Sequence, residues 1–259
     1  MTAAEQWREA LAAWAIPEEI LDAAPEDPWI HPVEMFTVDG EVPDSPSHAR
    51  ARAALPEDGS VLDVGCGGGR ASMALLPRAG RVIGVDSSER MLERYAAAAE
   101  ARGVEHTEIL GTWPETAPPA PEADVVVCHH VVYNVADLAP FLRALGGHAR
   151  RRVVLELPLT HPLTHMNPLW ERFWGLTRPT RPTAEDCLAV AREAGIDAVL
   201  DVWDDEPFEQ RTSLTVDQRA HYLRVRLCLP AEREPEVRQA LADAGPPAAR
   251  RTATLWWDV

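Results

Sequence analysis

The sequence predicts an α/β protein built on a doubly wound, seven-stranded sheet. Three observations support this prediction. Short apolar runs alternate with amphipathic helical segments over most of the chain. One of these runs, residues 61–64, passes through a cluster of glycines directly into a helix. The length of 259 residues suits one large α/β domain with appendages.

The predicted strands and helices follow one another in order. The strands are residues 61–64, 81–85, 105–110, 124–128, 152–157, 198–203 and 252–257. The helices of the domain are residues 47–55, 71–76, 89–102, 137–145, 183–195 and 214–244, the last broken at Pro230. Alternation of this kind favours a parallel sheet with helices on both of its faces.

The turn after the first strand has the features of a nucleotide or nucleoside site. Its glycines, which include Gly65, Gly67 and Gly69, leave backbone N–H groups uncovered and let a ligand approach closely. A dinucleotide fingerprint needs a further glycine where this chain has Arg70. The spacing therefore disfavours a dinucleotide.

Two acids accompany the glycines. Asp63 lies two residues before the first glycine, where a carboxylate suits a cationic amino group better than a phosphate. Asp86 ends the second predicted strand, where a carboxylate can accept both hydroxyls of a ribose. Together they indicate a nucleoside that carries a positively charged amino-acid tail.

The two motifs resemble those of a known family. DVGCGGG at residues 63–69, followed by VIGVD at residues 82–86, is similar to the first two motifs of the class I, Rossmann-like S-adenosylmethionine-dependent methyltransferases. The similarity covers roughly residues 60–157, and it implies S-adenosyl-L-methionine as cofactor. The cofactor-binding residues that it implies are Asp63, Gly65, Cys66, Gly67, Gly69, Asp86, Ser87, Thr112, Trp113 and His129. The alternative is a glycine-rich turn in an unrelated α/β protein.

The adenine pocket departs from the pattern of that family. Many of its members carry an acid after the third strand, where this chain has Thr112 and Trp113. We expect a backbone contact, or stacking on Trp113, to hold the adenine. The alternative is that Trp113 belongs to the core.

Polar side chains follow the fourth strand: His129, His130, Tyr133 and Asn134. Ligands of an open parallel sheet lie beyond the carboxyl ends of its strands, so these residues face the donor. We expect His130 to be a catalytic base or orienting group, with Tyr133 positioning the acceptor and Asn134 binding it. We expect His129 to brace the amino-acid tail of the donor through its backbone. The alternative is a set of hydrogen-bonded structural residues at the rim of the sheet.

The methyltransferase domain is expected at residues 45–259, with cap-like insertions near residues 158–182 and 211–248. The first is long and rich in proline, which is typical of a lid or binding segment. Its candidate acceptor-binding residues are His161, His165, Trp170 and Trp174, whose aromatic composition favours an apolar or aromatic acceptor. The second insertion could cap the cleft or form the contact of a homodimer.

The N-terminal helical segment, residues 1–44, precedes this domain. Trp7, Leu11 and Trp14 share one stripe of its first predicted helix. The segment is interpreted either as packing against the domain or as a lid over the acceptor cleft.

Composition excludes several classes of protein. The formal net charge of -16 argues against a nucleic-acid partner, and the absence of lysine removes any amine side chain for a Schiff base. The four cysteines are scattered, and Pro162 disrupts the spacing of His161 and His165, so we expect no metal site. No apolar run approaches membrane-spanning length, and Glu5 and Glu9 do not fit a signal peptide. We therefore expect a cytoplasmic protein with no membrane partner.

The expected function is transfer of a methyl group to an oxygen or nitrogen of a small-molecule acceptor. Such a transfer needs alignment, exclusion of water and, for a hydroxyl or a protonated amine, a general base. The alternative is a non-catalytic protein that binds S-adenosylmethionine as an accessory or regulatory factor. A nicotinamide-dependent oxidoreductase is disfavoured by Arg70 and Asp63.

Overall fold

The seven strands occur where the sequence predicts them, with ends that differ by a few residues. In a computed structural model that describes residues 1–29, 42, 44–117, 119–205, 214–244 and 250–259, they are β1 (Gly59–Val64), β2 (Ala79–Asp86), β3 (Glu105–Leu110), β4 (Ala123–His129), β5 (Ala149–Pro158), β6 (Val199–Asp205) and β7 (Arg250–Asp258). Part of the predicted N-terminal segment, residues 30–41 and 43, and part of the second insertion, residues 211–213 and 245–248, lie outside the described residues.

The strands form one sheet in the order β3-β2-β1-β4-β5-β7-β6. The first five are parallel to one another, whereas β7 runs antiparallel between β5 and β6. From β1 the chain builds the sheet first toward β3 and then, from β4 onward, in the opposite direction. The switch point of the topology therefore lies between the neighbouring strands β1 and β4. In an open α/β sheet the ligand crevice lies at such a point, beyond the carboxyl ends of the strands.

Ten helices surround the sheet in the described part of the chain. They are α1 (Ala3–Ala12), α2 (Glu18–Asp22), α3 (Pro46–Ala54), α4 (Arg70–Met73), α5 (Glu89–Glu100), α6 (Leu138–His148), α7 (Asn167–Trp174), α8 (Ala184–Glu193), α9 (Val216–Arg226) and α10 (Glu234–Asp243). Side-chain caps fix several N-termini, with capping boxes at Thr2, Thr183 and Thr215. No helix among the described residues is both long and apolar enough to cross a membrane.

The segment at residues 158–182 is not the plain loop that its prolines predict. It contains a 3-10 helix at Pro162–Met166 followed directly by α7. Each of these two helices has a proline in its first turn, where the missing N–H would have no helical partner. The prolines therefore begin helices here.

A separate apolar cluster lies outside the two cores that cover the faces of the sheet. Its buried members are Ile20, Met166, Trp170, Leu223, Leu227, Cys228, Leu229 and Val237. These residues come from α2, from the first insertion and from the second insertion, so the three segments form one small helical unit, which we call the cap. The apolar residues of the second insertion that belong to this cluster are thus buried within the chain.

The N-terminal segment is divided between the domain and the cap. Trp7 on α1 is buried in the main core, stacks on Tyr133 with ring centroids 5.6 Å apart, and donates its indole N–H to the Val135 carbonyl at 2.8 Å. Ile20 on α2 belongs to the cap cluster. The lid interpretation is therefore wrong for α1, which is part of the core.

Candidate functional site

The glycine turn between β1 and α4 leaves space for a ligand at one particular position. Gly65 and Gly67 both have positive φ, 70° and 50°. A Cβ at Gly65 would lie 2.3 Å from Cγ2 of Val131, whereas a Cβ at Gly67 would have no atom within 4 Å. The turn therefore packs against the chain after β4 at Gly65 and is open at Gly67, which fits a ligand that lies close to the backbone.

Asp86 joins this turn to the start of α5. Its Oδ2 accepts a hydrogen bond from the Gly67 N–H at 3.0 Å, and its Oδ1 accepts one from the Ser88 N–H at 2.9 Å. Each carboxylate oxygen has a second lone pair, so Asp86 can still accept hydrogen bonds from the hydroxyls of a ribose. Ser87 is exposed beside it, while Ser88 caps α5.

Asp63 does not lie on the surface of the crevice. Its side chain is only 1% exposed and accepts hydrogen bonds from the Ser72 N–H at 3.2 Å and the Ser72 hydroxyl at 2.6 Å. Burial raises the pKa of Asp63 to about 7, and the charge of Asp86 adds to this effect. Asp63 therefore holds α4 against β1 from beneath the turn, and the structure does not support the predicted direct contact with a cationic tail.

Two other predicted cofactor residues are also buried. Cys66 packs under the turn, and burial raises the pKa of its thiol far above the usual range. Trp113 is 7% exposed in the main core and meets His148 edge to face, with ring centroids 4.9 Å apart. The prediction that Trp113 stacks on an adenine is therefore not supported, and the core alternative is. Thr112 is exposed, which leaves it accessible to a ligand.

His130 and Glu156 form a pair at the carboxyl ends of β4 and β5. The His130 N–H donates to the Glu156 carbonyl at 2.7 Å, and Nε2 of His130 lies 3.1 Å from Oε1 of Glu156. His130 has φ of +61°, a conformation that non-glycine residues rarely adopt. The imidazole is about one-third exposed, whereas the Glu156 side chain is buried.

Glu156 is held in its ionised form. Burial acts to raise its pKa, but the hydrogen bond from His130, the charges of His129 and His130, and the Ser45 hydroxyl at 2.8 Å hold the pKa of that carboxyl well below its usual range. An ionised carboxylate accepts the Nε2–H of His130, which fixes Nδ1 as the nitrogen able to take up a proton.

Glu156 was missing from the residues predicted from the sequence. One sequence feature could have indicated Glu156 as a site residue: it is a single acid in the apolar part of a predicted strand, close to the carboxyl end where ligands bind.

His129 lies next to a histidine from α3. Its half-buried ring stacks on His48, with centroids 5.4 Å apart and planes at 20°. His48 is itself buried, and its Nδ1 lies 3.6 Å from Oδ1 of Asp44. His48 was not predicted to be near the site, because it belongs to α3, which is far from β4 in the sequence.

Tyr133 and Asn134, which follow His130, have different environments. Tyr133 is 5% exposed and donates its hydroxyl to the Pro158 carbonyl at 2.8 Å, and burial raises the pKa of its phenol well above the usual range. Its predicted role in positioning an acceptor is therefore not supported, because its only polar group is used inside the core. Asn134 is exposed at the end of the same 3-10 turn.

Of the predicted acceptor-binding residues of the first insertion, His161 and Trp170 are buried, whereas His165 is exposed. His161 is buried and stacks on Trp14 with ring centroids 3.9 Å apart; burial, then the charges of Arg178 and Arg226, lower its pKa to about 4. Trp170 is buried in the cap cluster, and Trp174 donates its indole N–H to the Leu227 carbonyl at 2.8 Å.

His165 is exposed, with Nδ1 2.7 Å from the Pro162 carbonyl. Among the described residues no three or more His, Cys, Asp or Glu side chains are grouped to hold a metal.

Known proteins share this domain and this fold. Residues 61–151 match the sequence profile of a family described as a methyltransferase domain. The ubiquinone biosynthesis O-methyltransferase of Leptothrix cholodnii is 39% identical over 87 residues, which cover 32% of this chain and 37% of that protein. The chain thus aligns with little more than a third of the length of this relative. The matched part holds the glycine turn and the histidines after β4.

Solved structures extend the likeness of fold to most of the chain. The YcgJ protein of Bacillus subtilis has a TM-score of 0.54 at 17% identity, covering 82% of this chain and 97% of that one. A methyltransferase from Thiobacillus denitrificans in complex with S-adenosyl-L-homocysteine has a TM-score of 0.50 at 19% identity, covering 93% and 98%. Residues 61–151 thus carry a methyltransferase domain, and the sheet topology and fold of the chain are similar to those of the Rossmann-like methyltransferases.

Proposed function

We propose that this protein transfers a methyl group from S-adenosylmethionine to an oxygen or nitrogen atom of a small-molecule acceptor. The observation that carries the proposal is the His130–Glu156 pair at the carboxyl ends of β4 and β5, beside the switch point between β1 and β4. Val131, the residue after His130, packs against Gly65 of the glycine turn. The proposed base and the proposed donor site are therefore neighbours in the fold.

The donor side of the site fits a nucleoside with an amino-acid tail. The open backbone at Gly67 and the carboxylate of Asp86 would hold the ribose, with the exposed Ser87 and Thr112 beside them. S-adenosylmethionine, when bound, supplies the electrophilic methyl group. The residues of this chain bind and orient the two reactants and keep water out.

His130 takes up the proton that the acceptor loses. Nε2 of its imidazole is held by Glu156, so Nδ1 is the atom that receives the proton. The ionised carboxylate then stabilises the imidazolium, in the way that a buried acid orients and stabilises a catalytic histidine elsewhere. Such a base contributes about 100-fold to 10,000-fold to the rate of a reaction that needs it.

The relatives favour oxygen as the first acceptor atom to test. Several of them are named ubiquinone biosynthesis O-methyltransferases, among them a protein from Azorhizobium caulinodans that is 36% identical over 97 residues. The similarity covers only about two fifths of each chain or less, and the matched domain, residues 61–151, does not include the cap. The names therefore support the class of reaction more than the acceptor.

Two measurements on the full chain test the proposal. Titration calorimetry should show binding of S-adenosylmethionine, weakened about 10-fold to 100-fold in Asp86→Ala by the loss of charge-assisted hydrogen bonds. Transfer of a radiolabelled methyl group to a panel of phenols, aromatic acids and amines should identify an acceptor. With that acceptor, His130→Ala should lower kcat about 100-fold or more while the donor Kd stays the same.

The control is His221→Ala, which removes an exposed histidine of the cap that pairs with Glu234, away from the proposed site. It should leave kcat unchanged. Normal turnover in His130→Ala would show that the transfer relies on proximity alone. Donor binding with no transfer to any acceptor would favour the accessory or regulatory alternative.

A further inference from the structure

A row of polar side chains crosses three strands of the sheet beneath the start of α3. His129 on β4, Glu156 on β5 and Thr254 on β7 are partners in the strand register, so their side chains lie on the same face of the sheet. Glu156 is 4% exposed and Thr254 is fully buried. Buried polar groups are costly without hydrogen-bond partners, so the element that covers this row must supply them.

The start of α3 places a side chain on each member of the row. The three contacts join Ser45 to Glu156, Ser47 to Thr254 and His48 to His129. The first two are hydrogen bonds between side chains, of 2.8 and 2.7 Å, and the third is a stack of two imidazole rings. The three side chains that α3 contributes are all buried. The helix is therefore fitted to the sheet at Glu156 and at the strand positions that flank it.

The direction of the hydrogen bond between Ser45 and Glu156 follows from the chemistry of the two groups. Ser45 is the N-cap of α3, and its Oγ accepts a hydrogen bond from the His48 N–H at 3.3 Å through a lone pair. The hydroxyl proton remains to be donated, and the ionised carboxylate of Glu156 can only accept. Ser45 therefore donates to Oε2 of Glu156. The positive end of the α3 dipole lies at the same place and also favours the negative charge.

The two oxygens of the Glu156 carboxylate have separate partners. Oε1 lies 3.1 Å from Nε2 of His130, and Oε2 accepts the Ser45 hydroxyl at 2.8 Å. The last torsion of a glutamate side chain is broad, so the side chain itself does not fix the direction of these oxygens. A carboxylate that is held at one oxygen can turn. Held at both, it keeps Oε1 directed at His130.

We propose that Ser45 is a positioning residue of the His130–Glu156 pair. By holding Oε2 it keeps Oε1 on Nε2 of His130, which leaves Nδ1 of the imidazole presented to the acceptor. The inference rests on the proposed function where it makes His130 the base, whereas the hold of Ser45 on the pair does not depend on methyl transfer. It also extends the site to α3, which precedes the matched residues 61–151.

Proton NMR of the full chain tests this hold without any acceptor. The imidazole N–H that His130 donates to a carboxylate should give a downfield signal that exchanges slowly with water, because the bond is charge-assisted. The signal is identified by its loss in His130→Gln. It should disappear in Ser45→Ala, since the carboxylate can then turn away. It should persist in Ser45→Thr, which keeps the hydroxyl.

Kinetics on the same variants form the second arm, with the acceptor that the methyl-transfer panel identifies. Ser45→Ala should lower kcat about tenfold, because a small displacement of a base slows the transfer. The donor Kd and the KM for the acceptor should change little, since Ser45 acts through Glu156. Ser45→Thr should restore most of the lost kcat.

Ser47→Ala is the matched control. It removes a buried hydroxyl from the same turn of α3, but that hydroxyl contacts Thr254 and not Glu156. The variant should have a lower melting temperature and keep both the NMR signal and kcat. Ser45→Ala also removes the helix cap, at a cost of about 0.5–2 kcal/mol, so circular dichroism must show that it is folded. If it is not, Ser45→Gly decides, because glycine caps a helix nearly as well as serine.

Three results would overturn the inference: a wild-type protein without the signal, a Ser45→Ala variant with the signal or with full kcat, or loss of the signal in Ser47→Ala as well. The last would show that the packing of α3, and not the hydroxyl of Ser45, holds the pair. Methyl transfer by a protein whose signal does not depend on Ser45 leaves the proposed function standing and removes the positioning role. A signal that depends on Ser45 in a protein that neither binds nor uses the donor retains the hold on the pair and removes the proposed function.

Discussion

Asp63→Asn should stabilise the protein more at pH 8 than at pH 5. Burial raises the pKa of Asp63 to about 7, against 3.8 for the exposed group, even though the Ser72 hydrogen bonds favour the carboxylate. At pH values between these two pKa values, the native state keeps the Asp63 proton and the unfolded chain has lost it. The free energy of unfolding of the wild-type protein therefore falls as the pH rises through this window.

The magnitude follows from the two pKa values. Because the unfolded chain loses the Asp63 proton more readily than the fold does, the free energy of unfolding is lower than that of the fully protonated protein by about 4 kcal/mol at pH 8 and by about 1 to 2 kcal/mol at pH 5. Asparagine keeps an oxygen that can accept from the Ser72 N–H and hydroxyl but carries no charge. The difference in unfolding free energy between variant and wild type should therefore shift by about 3 kcal/mol in favour of the variant from pH 5 to pH 8.

Urea unfolding of both proteins at pH 5, 6, 7 and 8 measures this shift. Asp124→Asn is the matched control, because hydrogen bonds from Ser60 lower the pKa of Asp124 against the opposing effect of burial. That variant should gain nothing as the pH rises. A constant difference between Asp63→Asn and wild type would show that Asp63 is already ionised at pH 5, which would refute the reasoning.

Three further predictions concern the turn, the core and the proposed base. Both Gly65→Ala and Gly67→Ala should lose about 1–2 kcal/mol of stability, because both positions adopt positive φ. Gly65→Ala should lose more, because only its Cβ would clash with Val131. Gly67→Ala should instead show the larger loss of donor affinity by calorimetry. Trp113→Phe should lower the melting temperature and leave the donor Kd unchanged, because the ring lies in the core; a weaker Kd would restore the stacking role. Glu156→Gln should lower the free energy of unfolding at pH 7, because the native state depresses the pKa of the wild-type carboxyl. In urea unfolding, the difference from wild type should shrink below pH 4.5 as the wild-type carboxylate becomes protonated. A difference that is constant down to pH 3 would contradict this.

The alternation of elements could be predicted well from the sequence, because it depends on local patterns. Central strands such as β4 are apolar runs, and each N-cap side chain acts on the helix that it begins. The glycine turn was also predictable, since its chemistry lies in consecutive residues. These are features in which neighbours in the chain determine the structure.

The direction of individual side chains was harder to predict. Trp113 and Tyr133 both follow a strand at the edge where ligands bind, yet both point into the core. The reason lies far away in the chain, because Trp7 covers Tyr133, and His148 packs against Trp113. The partner of His130 was missed for the same reason, since the register of β4 and β5 alone places Glu156 beside it.

The N-terminal segment illustrates the same limit and leads to a last prediction. Its tryptophans were compatible with a lid or with packing against the domain, and Trp7 is buried in the main core with its indole N–H bonded to the Val135 carbonyl. Loss of a buried tryptophan costs about 3–5 kcal/mol, a large fraction of the roughly 5–15 kcal/mol that stabilises a domain. Deleting residues 1–40 should therefore abolish the cooperative thermal transition, while Trp7→Phe, which keeps an aromatic ring and loses the hydrogen bond, should only lower its midpoint. A truncated chain that melts at the wild-type temperature and still binds the donor would show that this segment is a lid after all.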